Sequence, residues 1–142
     1  MKNFSFSVDK DVVSAKEAIK LYLALKWGNE SKYDENKMKQ ALESTTMVIS
    51  ARDRAGKLVG LTRVLSDGVI HTSVADIAVH PEYQGQGIGT QMMELVKKQY
   101  GHTGIFVDAF KENEKFFMEC GYKKRDMIVL SKLFVKEPSH IA

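Results

Sequence analysis

The sequence predicts an α+β fold in which helices flank both faces of a mixed, mostly antiparallel sheet. Three strand-like segments between Met47 and Val79 are joined by turns too short for crossover connections, so these strands must run antiparallel. After Pro81 the pattern changes to a glycine-rich stretch, a helix and an apolar strand. A helix that returns the chain to a neighbouring strand makes a βαβ crossover, which predicts one parallel strand pair.

The N-terminal third predicts a short strand followed by two helices. Apolar and serine residues alternate over residues 4–8, which is typical of a strand. The run Ser14–Glu17 fits a helix capping box, and apolar residues then recur at helical spacing until near Gly28. A second, shorter helix carries Met38 and Leu42 on one face.

The rest of the chain predicts the meander and the crossover unit. The antiparallel strands are Met47–Arg52, Lys57–Leu65 and a strand within Val69–Val79. A helix from Thr90 to Tyr100 is followed by a strand at Ile105–Phe110, a short helix at Asn113–Glu119 and a last strand at Met127–Lys132.

Length and composition indicate one ordinary globular domain. The 142 residues correspond to about one domain, so residues 1–142 are treated as a unit. Hydrophobic residues make up 44% and charged residues 27%. No apolar run approaches the roughly 18 residues that a membrane span needs, and the N-terminus lacks the apolar core of a signal peptide. We expect a soluble cytoplasmic protein that does not interact with membranes.

Charge and cysteine content exclude other classes. The net charge of +3 is too mild and too dispersed to indicate a nucleic-acid partner. The single cysteine, Cys120, cannot form an internal disulfide or a multi-cysteine metal cluster. The four histidines include no helical pair suited to zinc, so no metal is expected.

The connection from Val79 to Thr90 carries the chemistry. Gly85, Gly87 and Gly89 let the backbone turn tightly and leave no side chains above it. Its freed amide groups, with the first amides of the following helix, predict a site for a phosphate or pyrophosphate. A nucleotide P-loop is excluded by the missing lysine, and the spacing does not match a dinucleotide fingerprint. The alternative is a glycine-rich turn that binds no ligand.

Two motifs in the second half of the chain resemble the GNAT superfamily of N-acetyltransferases. Residues Asp76–Gly89 resemble its acetyl-CoA-binding motif, and Asn113–Tyr122 resemble its closing segment. Within the superfamily, residues 76–122 look most like glucosamine-phosphate N-acetyltransferases and small bacterial relatives. The resemblance implies a GNAT-like acyl-CoA N-acyltransferase fold for the whole chain, with acetyl-CoA as co-substrate and no metal.

The resemblance also implies how the co-substrate is held. Backbone amides of the glycine-rich connection would bind the CoA pyrophosphate; these residues are Gln84, Gly85, Gln86, Gly87, Ile88, Gly89 and Thr90. The backbone of Ile77, Ala78 and Val79 would pair with the pantetheine arm. An extended, amide-bearing arm can satisfy the peptide groups left unpaired where two strands diverge. The Ile77 amide would point at the acetyl carbonyl as an oxyanion-type donor.

Two residues of the closing segment have alternative roles. Asn113 matches a family position that contacts the CoA arm, and it could equally cap a helix. Phe117 stands where many family members carry a tyrosine that acts as the acid. That substitution removes the usual acid, so we expect Phe117 either to lie in the core or to pack against the CoA arm.

The reaction implied is direct acetyl transfer from the thioester to a primary amine, which must lose a proton while the thiolate gains one. The candidate bases are Asp76, His71 and Asp108, and a water chain could replace all three. Asp108 is a candidate because a carboxylate inside an apolar strand needs a partner or a ligand. Strand alternation predicts that Asp76 shares a face with Val74 and Ala78.

The acceptor is expected to be a small-molecule amine. In this family the loop between the first two helices forms one wall of the acceptor pocket, and here it contains Trp27 and Tyr33. Phe110 replaces an acidic residue of the sugar-phosphate enzymes, which weakens the case for glucosamine phosphate. The alternatives are a non-catalytic CoA-binding module and an acetyltransferase of protein lysines or N-termini. A homodimer is expected only because members of the family commonly form one.

Overall fold

The computed structural model describes residues 3–132 and is built on a five-stranded sheet. Its strands are β1 (Ser5–Ser7), β2 (Met47–Arg52), β3 (Leu58–Ser66), β4 (His71–Val79) and β5 (Gly104–Val107). They lie side by side in chain order. All neighbouring pairs are antiparallel except β4 and β5, which are parallel. The predicted mixed, mostly antiparallel sheet is therefore confirmed.

Helices cover both faces of this sheet, as the sequence predicts. The helices of the described residues are α1 (Ala15–Ala24), α2 (Glu35–Ser44), α3 (Ile88–Tyr100) and α4 (Glu114–Glu119). An α1-side core forms under the first two helices and includes Ala18, Leu21, Tyr22, Leu42, Leu61 and Ala78. An α3-side core forms on the other face and includes Ile49, Val64, Val74, Met92, Val96 and Phe117. None of the helices in residues 3–132 is long and apolar enough to cross a membrane.

The predicted capping box starts α1. The Ser14 hydroxyl accepts the amide of Glu17 at 3.1 Å, and a Glu17 carboxylate oxygen accepts the amide of Ser14 at the same distance. The helix ends before Lys26 and Gly28, which adopt positive φ angles of 62° and 89°. This reversal sends the chain into the loop that carries Trp27.

Two predicted strands differ from the structure: one is shorter than predicted and the other does not form. The strand predicted at Ile105–Phe110 stops at Val107, and Asp108 is exposed beyond it. The predicted strand at Met127–Lys132 is wrong, because the segment has no strand structure and is exposed throughout. The local residues favour a strand, but a strand forms only where a neighbour completes its hydrogen bonds.

A bulge in β4 overturns the predicted alternation of its side chains. Asp76 pairs with Arg63 and Val74 pairs with Val64, so Ala75 has no partner. An extra residue of this kind reverses the alternation beyond it. Val74 consequently packs in the α3-side core, whereas Asp76 and Ala78 lie on the α1 side.

Close packing at Gly60 positions the start of α3 on the sheet. A Cβ atom at Gly60 would lie 2.8 Å from Cγ2 of Ile88 and 3.0 Å from Cβ of Ala51. No side chain fits in that space, so the first turn of α3 rests directly on β3. The N-terminus of α3 is thereby fixed beside the end of β4.

Candidate active site

The β4–α3 connection forms an exposed loop that turns tightly at two glycines. Gly85 and Gly87 adopt φ angles of 79° and 85°, a left-handed conformation that glycine adopts without strain. A Cβ atom at either position would meet nothing within 4 Å. The space above this glycine loop, Gln84–Gly87, is therefore open to a ligand.

The N-terminus of α3 opens directly from the glycine loop. Gly87 is the N-cap residue and supplies no side-chain hydrogen bond, and the first turn contains no acidic residue. The helical hydrogen bonds begin with the Gln91 amide, which donates to the Gly87 carbonyl at 3.0 Å. The amides of Ile88, Gly89 and Thr90 precede that bond, as at any helix start, and the helix dipole adds positive charge there. The loop and the helix start together present backbone amides of the kind that bind anions.

Hydrogen bonds to the β2–β3 turn hold the loop in place. The Tyr83 hydroxyl, just before the loop, donates to Oδ2 of Asp53 at 2.9 Å. Oδ1 of Asp53 accepts the amides of Ala55 and Lys57, both at 2.9 Å. These hydrogen bonds hold the pKa of Asp53 below its usual range, and the bond from the Lys57 amide contributes most. Gln84 also reaches back, its Nε2 donating to the Val79 carbonyl at 3.0 Å.

The edge of β4 that faces away from β3 is only partly paired. Residues Gly104–Val107 of β5 pair with His71–Val74 of β4. From Ala75 to Val79, β4 continues without a β5 partner in the described sheet. Peptide groups on this stretch can pair with an extended ligand. The structure thus brings together the two predicted cofactor segments, since Ile77–Val79 leads straight into the glycine loop.

Asp76 lies in a buried polar cluster. It is 4% exposed, and its Oδ2 accepts the Tyr22 hydroxyl at 3.1 Å and a hydrogen bond from Nε of Arg63. Burial raises the pKa of Tyr22 well above its usual value. At Arg63 burial is the largest influence and lowers the pKa, but the charges and hydrogen bonds of Asp76 and Tyr22 together outweigh it and raise the pKa. This carboxylate oxygen already has two donors.

Tyr22 and Arg63 belong to this cluster but are not among the site residues predicted from the sequence. Arg63 carried a usable signal, because a charged residue in an apolar strand needs a partner. Tyr22 carried none, because its spacing in α1 is that of any core residue and its partner is 54 residues away.

The two predicted acceptor residues form an aromatic wall with Tyr22. The ring of Tyr22 stacks on Trp27 at 5.5 Å and on Tyr33 at 6.1 Å between centroids. The Tyr33 hydroxyl donates to the Trp27 carbonyl. Burial, assisted by the charge of Asp76, raises the pKa of Tyr33 to about 12. The aromatic wall (Tyr22, Trp27, Tyr33) therefore borders the buried Asp76.

The other two candidate bases, Asp108 and His71, lie outside the buried polar cluster of Asp76. Asp108 is exposed and follows the last residue of β5, so the expectation that it is enclosed in an apolar strand is wrong. His71 is at the start of β4, the opposite end from the glycine loop, and its ring stacks on Phe106 at 4.8 Å. A catalytic role for Asp76 or Asp108 stays a prediction.

The closing segment packs on the start of α3. Phe117 is 4% exposed in the α3-side core, which confirms one of its two predicted environments. Its contact with a CoA arm stays a prediction. Asn113 is the N-cap of α4 but makes no side-chain capping bond there, so the capping role predicted for it is wrong. Phe116 approaches Gly89 so closely that a Cβ there would lie 3.0 Å from its ring.

Within residues 3–132 there is no group of three or more histidine, cysteine, aspartate or glutamate side chains that could hold a metal ion. The candidate site consists of backbone amides, the aromatic wall and the ion pair between the buried Asp76 and the partly buried Arg63.

Comparisons with known proteins agree with the family resemblance that the two sequence motifs indicate. Residues 43–124 match the family model described as an acetyltransferase (GNAT) domain. Over 94 residues the chain is 31% identical to the uncharacterized N-acetyltransferase ycf52 of Porphyra purpurea, which covers 62% of this chain and 54% of that protein. The chain spans about half the length, or less, of the curated relatives that it matches first.

Solved structures show the same fold at low sequence identity. A GNAT family acetyltransferase of Streptococcus pneumoniae superposes with a TM-score of 0.70 at 24% identity, covering 92% of this chain and 99% of that one. Glucosamine-6-phosphate N-acetyltransferase of Arabidopsis thaliana gives a TM-score of 0.73 at 14% identity, covering 94% and 100%. The predicted fold class is confirmed by these similarities.

Proposed function

Because the chain belongs to the GNAT acetyltransferase family, we propose that it is an acetyl-CoA-dependent N-acetyltransferase that acts on the primary amine of a small molecule. One observation carries the proposal: the stretch of β4 that has no β5 partner leads, through the turn at Pro81–Tyr83, to the open glycine loop at the start of α3. A pyrophosphate and an amide-bearing arm are joined in that order in CoA. The two parts of the site therefore fit two parts of one molecule.

The loop and the strand edge have distinct tasks in this proposal. The amides of Gln84 to Thr90 would bind the pyrophosphate, because backbone N–H groups at a helix start suit an anion. The backbone of Ile77–Val79 would pair with the pantetheine arm as an added strand. Asn113 and Phe117 are the proposed further contacts of that arm.

The chemistry proposed is a direct transfer. When bound, acetyl-CoA supplies the thioester carbonyl carbon that the amine attacks, so a C–N bond forms and the C–S bond breaks. The Ile77 amide would donate to the carbonyl oxygen as negative charge develops on it. The amine loses one proton and the thiolate takes up one. The exposed Asp108 and water are the proposed carriers of these protons, and Asp76 would attract the cationic amine.

The aromatic wall supports a small-molecule acceptor. Tyr22 is buried and Trp27 and Tyr33 are half-buried, and the planes of the Trp27 and Tyr33 rings lie 24° and 29° from the plane of the Tyr22 ring. Rigid aromatic faces bind a ring or an alkyl chain and attract a cation. The buried Asp76, which is paired with Arg63, lies next to Tyr22. An amine attached to an aromatic or aliphatic body suits this surface.

We expect thiol release from acetyl-CoA to depend on an added amine. The measurement uses a panel of arylalkylamines, polyamines, aminosugars, amino acids and a lysine peptide, with acetyl-CoA binding followed by calorimetry. Release with arylalkylamines or alkylamines above that with the peptide supports the proposal. Binding without release with any amine would favour a CoA-binding module. Release with the peptide alone would favour a protein acetyltransferase.

Removing Trp27 should weaken acceptor binding selectively. We expect Trp27→Ala to raise the KM for the best amine by about tenfold, because a stacked aromatic contact of about 1.4 kcal/mol is lost. The KM for acetyl-CoA should stay within about twofold, and Trp27→Phe should retain most of the acceptor affinity. Equal increases in both KM values would contradict the assignment of Trp27 to the acceptor side.

A further inference from the structure

We propose that the acceptor is an α-amino acid with an apolar side chain, bound through its carboxylate by Arg63 and through its ammonium group by Asp76. This inference rests on the acetyltransferase function proposed above and names the class of its substrate. The first observation is the guanidinium of Arg63, which lies within β3 with its side chain only 23% exposed. A guanidinium carries five N–H donors and favours planar, bidentate partners such as a carboxylate.

Most donors of Arg63 are not used by the described residues. Asp76, which accepts from Nε, and the Tyr22 hydroxyl are the two polar groups of residues 3–132 that act on the guanidinium, so at most two of its five donors are engaged. No buried side-chain nitrogen or oxygen in this part of the chain lacks a hydrogen-bond partner, so a terminal nitrogen of Arg63 without one is accessible from the surface. A largely desolvated cation with accessible donors indicates a group that binds an anion.

Asp76 supplies the complementary charge for an ammonium group. Both of its side-chain hydrogen bonds end on Oδ2, one from the Tyr22 hydroxyl and one from Nε of Arg63. Oδ1 accepts none from the residues that the structure describes, so by the same reasoning this oxygen also keeps some access to the site. An ammonium group has three donors and can therefore bind Oδ1.

The two charges are close enough for one α-amino acid to meet both. Arg63 and Asp76 lie opposite each other in the register of β3 and β4, and their side chains are in direct contact. An α-amino acid carries its carboxylate and its ammonium group on the same carbon atom. A simple amine would leave the guanidinium donors unpaired, and a phosphate would bring a charge of about −2 next to Asp76. The neutral pair therefore suits a zwitterion without net charge.

The aromatic wall offers a surface to the apolar side chain of the acceptor. Tyr22 joins the wall to the ion pair, because its hydroxyl donates to Asp76 while its ring stacks on Trp27 and Tyr33. An amino acid held at its two charges would extend its side chain along these rings, which favour aromatic and aliphatic groups. In the transfer, the α-amine loses a proton as its nitrogen bonds to the acetyl carbon, the C–S bond breaks, and the CoA thiolate takes up a proton.

Calorimetric binding to the full chain tests the inference, in the presence of CoA, which has no acetyl group to transfer. The probes are L-phenylalanine, L-phenylalanine amide and phenethylamine, which share a ring and an amine although only the first has a carboxylate. L-leucine and isoamylamine form a second pair. We expect each amino acid to bind about tenfold or more tightly than its partners, because a charge-assisted bidentate contact is lost with the carboxylate. With acetyl-CoA, the values of kcat/KM should follow the same order.

Arg63→Lys tests the protein side of the same contact. Lysine keeps a cation beside Asp76 but lacks the planar fork, so the preference for the carboxylate should fall to about threefold or less. The matched control is Arg52→Lys, which makes the same change in the ion pair with Glu17, outside the cluster of Asp76. The Arg52 side chain is 21% exposed, close to the value for Arg63, and this variant should keep the full preference.

The outcomes separate this inference from the proposed function. Transfer to phenethylamine or isoamylamine with a kcat/KM equal to or above that of the amino acids would overturn the inference and leave the function standing. Carboxylate-dependent binding without transfer would overturn the function and support the amino-acid site. Neither preference nor transfer would overturn both. A preference that survives Arg63→Lys would also overturn the inference, because another group would then bind the carboxylate.

Discussion

Gly87→Val is expected to weaken acetyl-CoA binding by about 100-fold or more. A β-branched residue is strongly disfavoured at the φ of 85° that Gly87 adopts, so the loop must change conformation. A hydrogen bond to a charged group contributes about 1.5–3 kcal/mol, and about 1.4 kcal/mol is a tenfold change in affinity. Misplacing two amides that hold the pyrophosphate is enough for the expected loss. Calorimetric titration with acetyl-CoA measures it directly.

The chain offers a matched control for this change. Gly68, in the β3–β4 turn at the opposite end of β4 from the glycine loop, has a φ of 77° and equally open space around it. Gly68→Val therefore introduces similar backbone strain far from the glycine loop, and acetyl-CoA affinity should stay within about threefold. Equal losses of affinity in the two variants would mean that backbone strain, not the pyrophosphate site, explains the result. Unchanged affinity in Gly87→Val would contradict the site itself.

Arg63→Met is expected to lower the free energy of unfolding by about 3–5 kcal/mol, because it leaves the buried carboxylate of Asp76 without its cation. The double variant Arg63→Met/Asp76→Leu removes both charges and should recover part of that loss, because the buried Tyr22 hydroxyl still loses Asp76 as an acceptor. Urea unfolding at neutral pH compares the variants. A single variant within about 1 kcal/mol of the unchanged protein would contradict the role of this pair in stability.

The same double variant separates two roles of Asp76. If the folded double variant retains its rate of acetyl transfer, the carboxylate serves stability rather than catalysis. If the variant folds and binds acetyl-CoA but its KM for the amine rises, Asp76 attracts the acceptor. A loss of kcat with both KM values unchanged would assign the carboxylate to the chemical step.

Local residues determine most of the fold, which is why the sequence predicts it well. The capping box at Ser14, the short turns of the meander and the glycine spacing each lie within a few residues. Each therefore specifies its own element. The glycine loop was predictable for the same reason, since its turn and the helix start after it are continuous in the chain.

The errors concern features that depend on pairing between distant residues. The bulge at Ala75 follows from the register of β4 on β3, which no local pattern contains. The strand predicted at Met127–Lys132 has the right composition, but a strand also needs an adjacent edge in the same molecule. The pairing of Asp76 with Tyr22 depends on how α1 packs over the sheet.

The hydrogen bond from Tyr83 to Asp53 connects the start of the glycine loop to a turn outside it, so under the proposed function ligand affinity would depend on that turn. Because this bond orders the loop during folding, conformational entropy of about 0.5–1.5 kcal/mol per fixed side chain is not lost again when a ligand binds. Association can then proceed without a loop rearrangement, so its rate is set by diffusion and orientation. Changes in the β2–β3 turn would appear in the entropy and kinetics of binding rather than in the contacts made by the bound ligand.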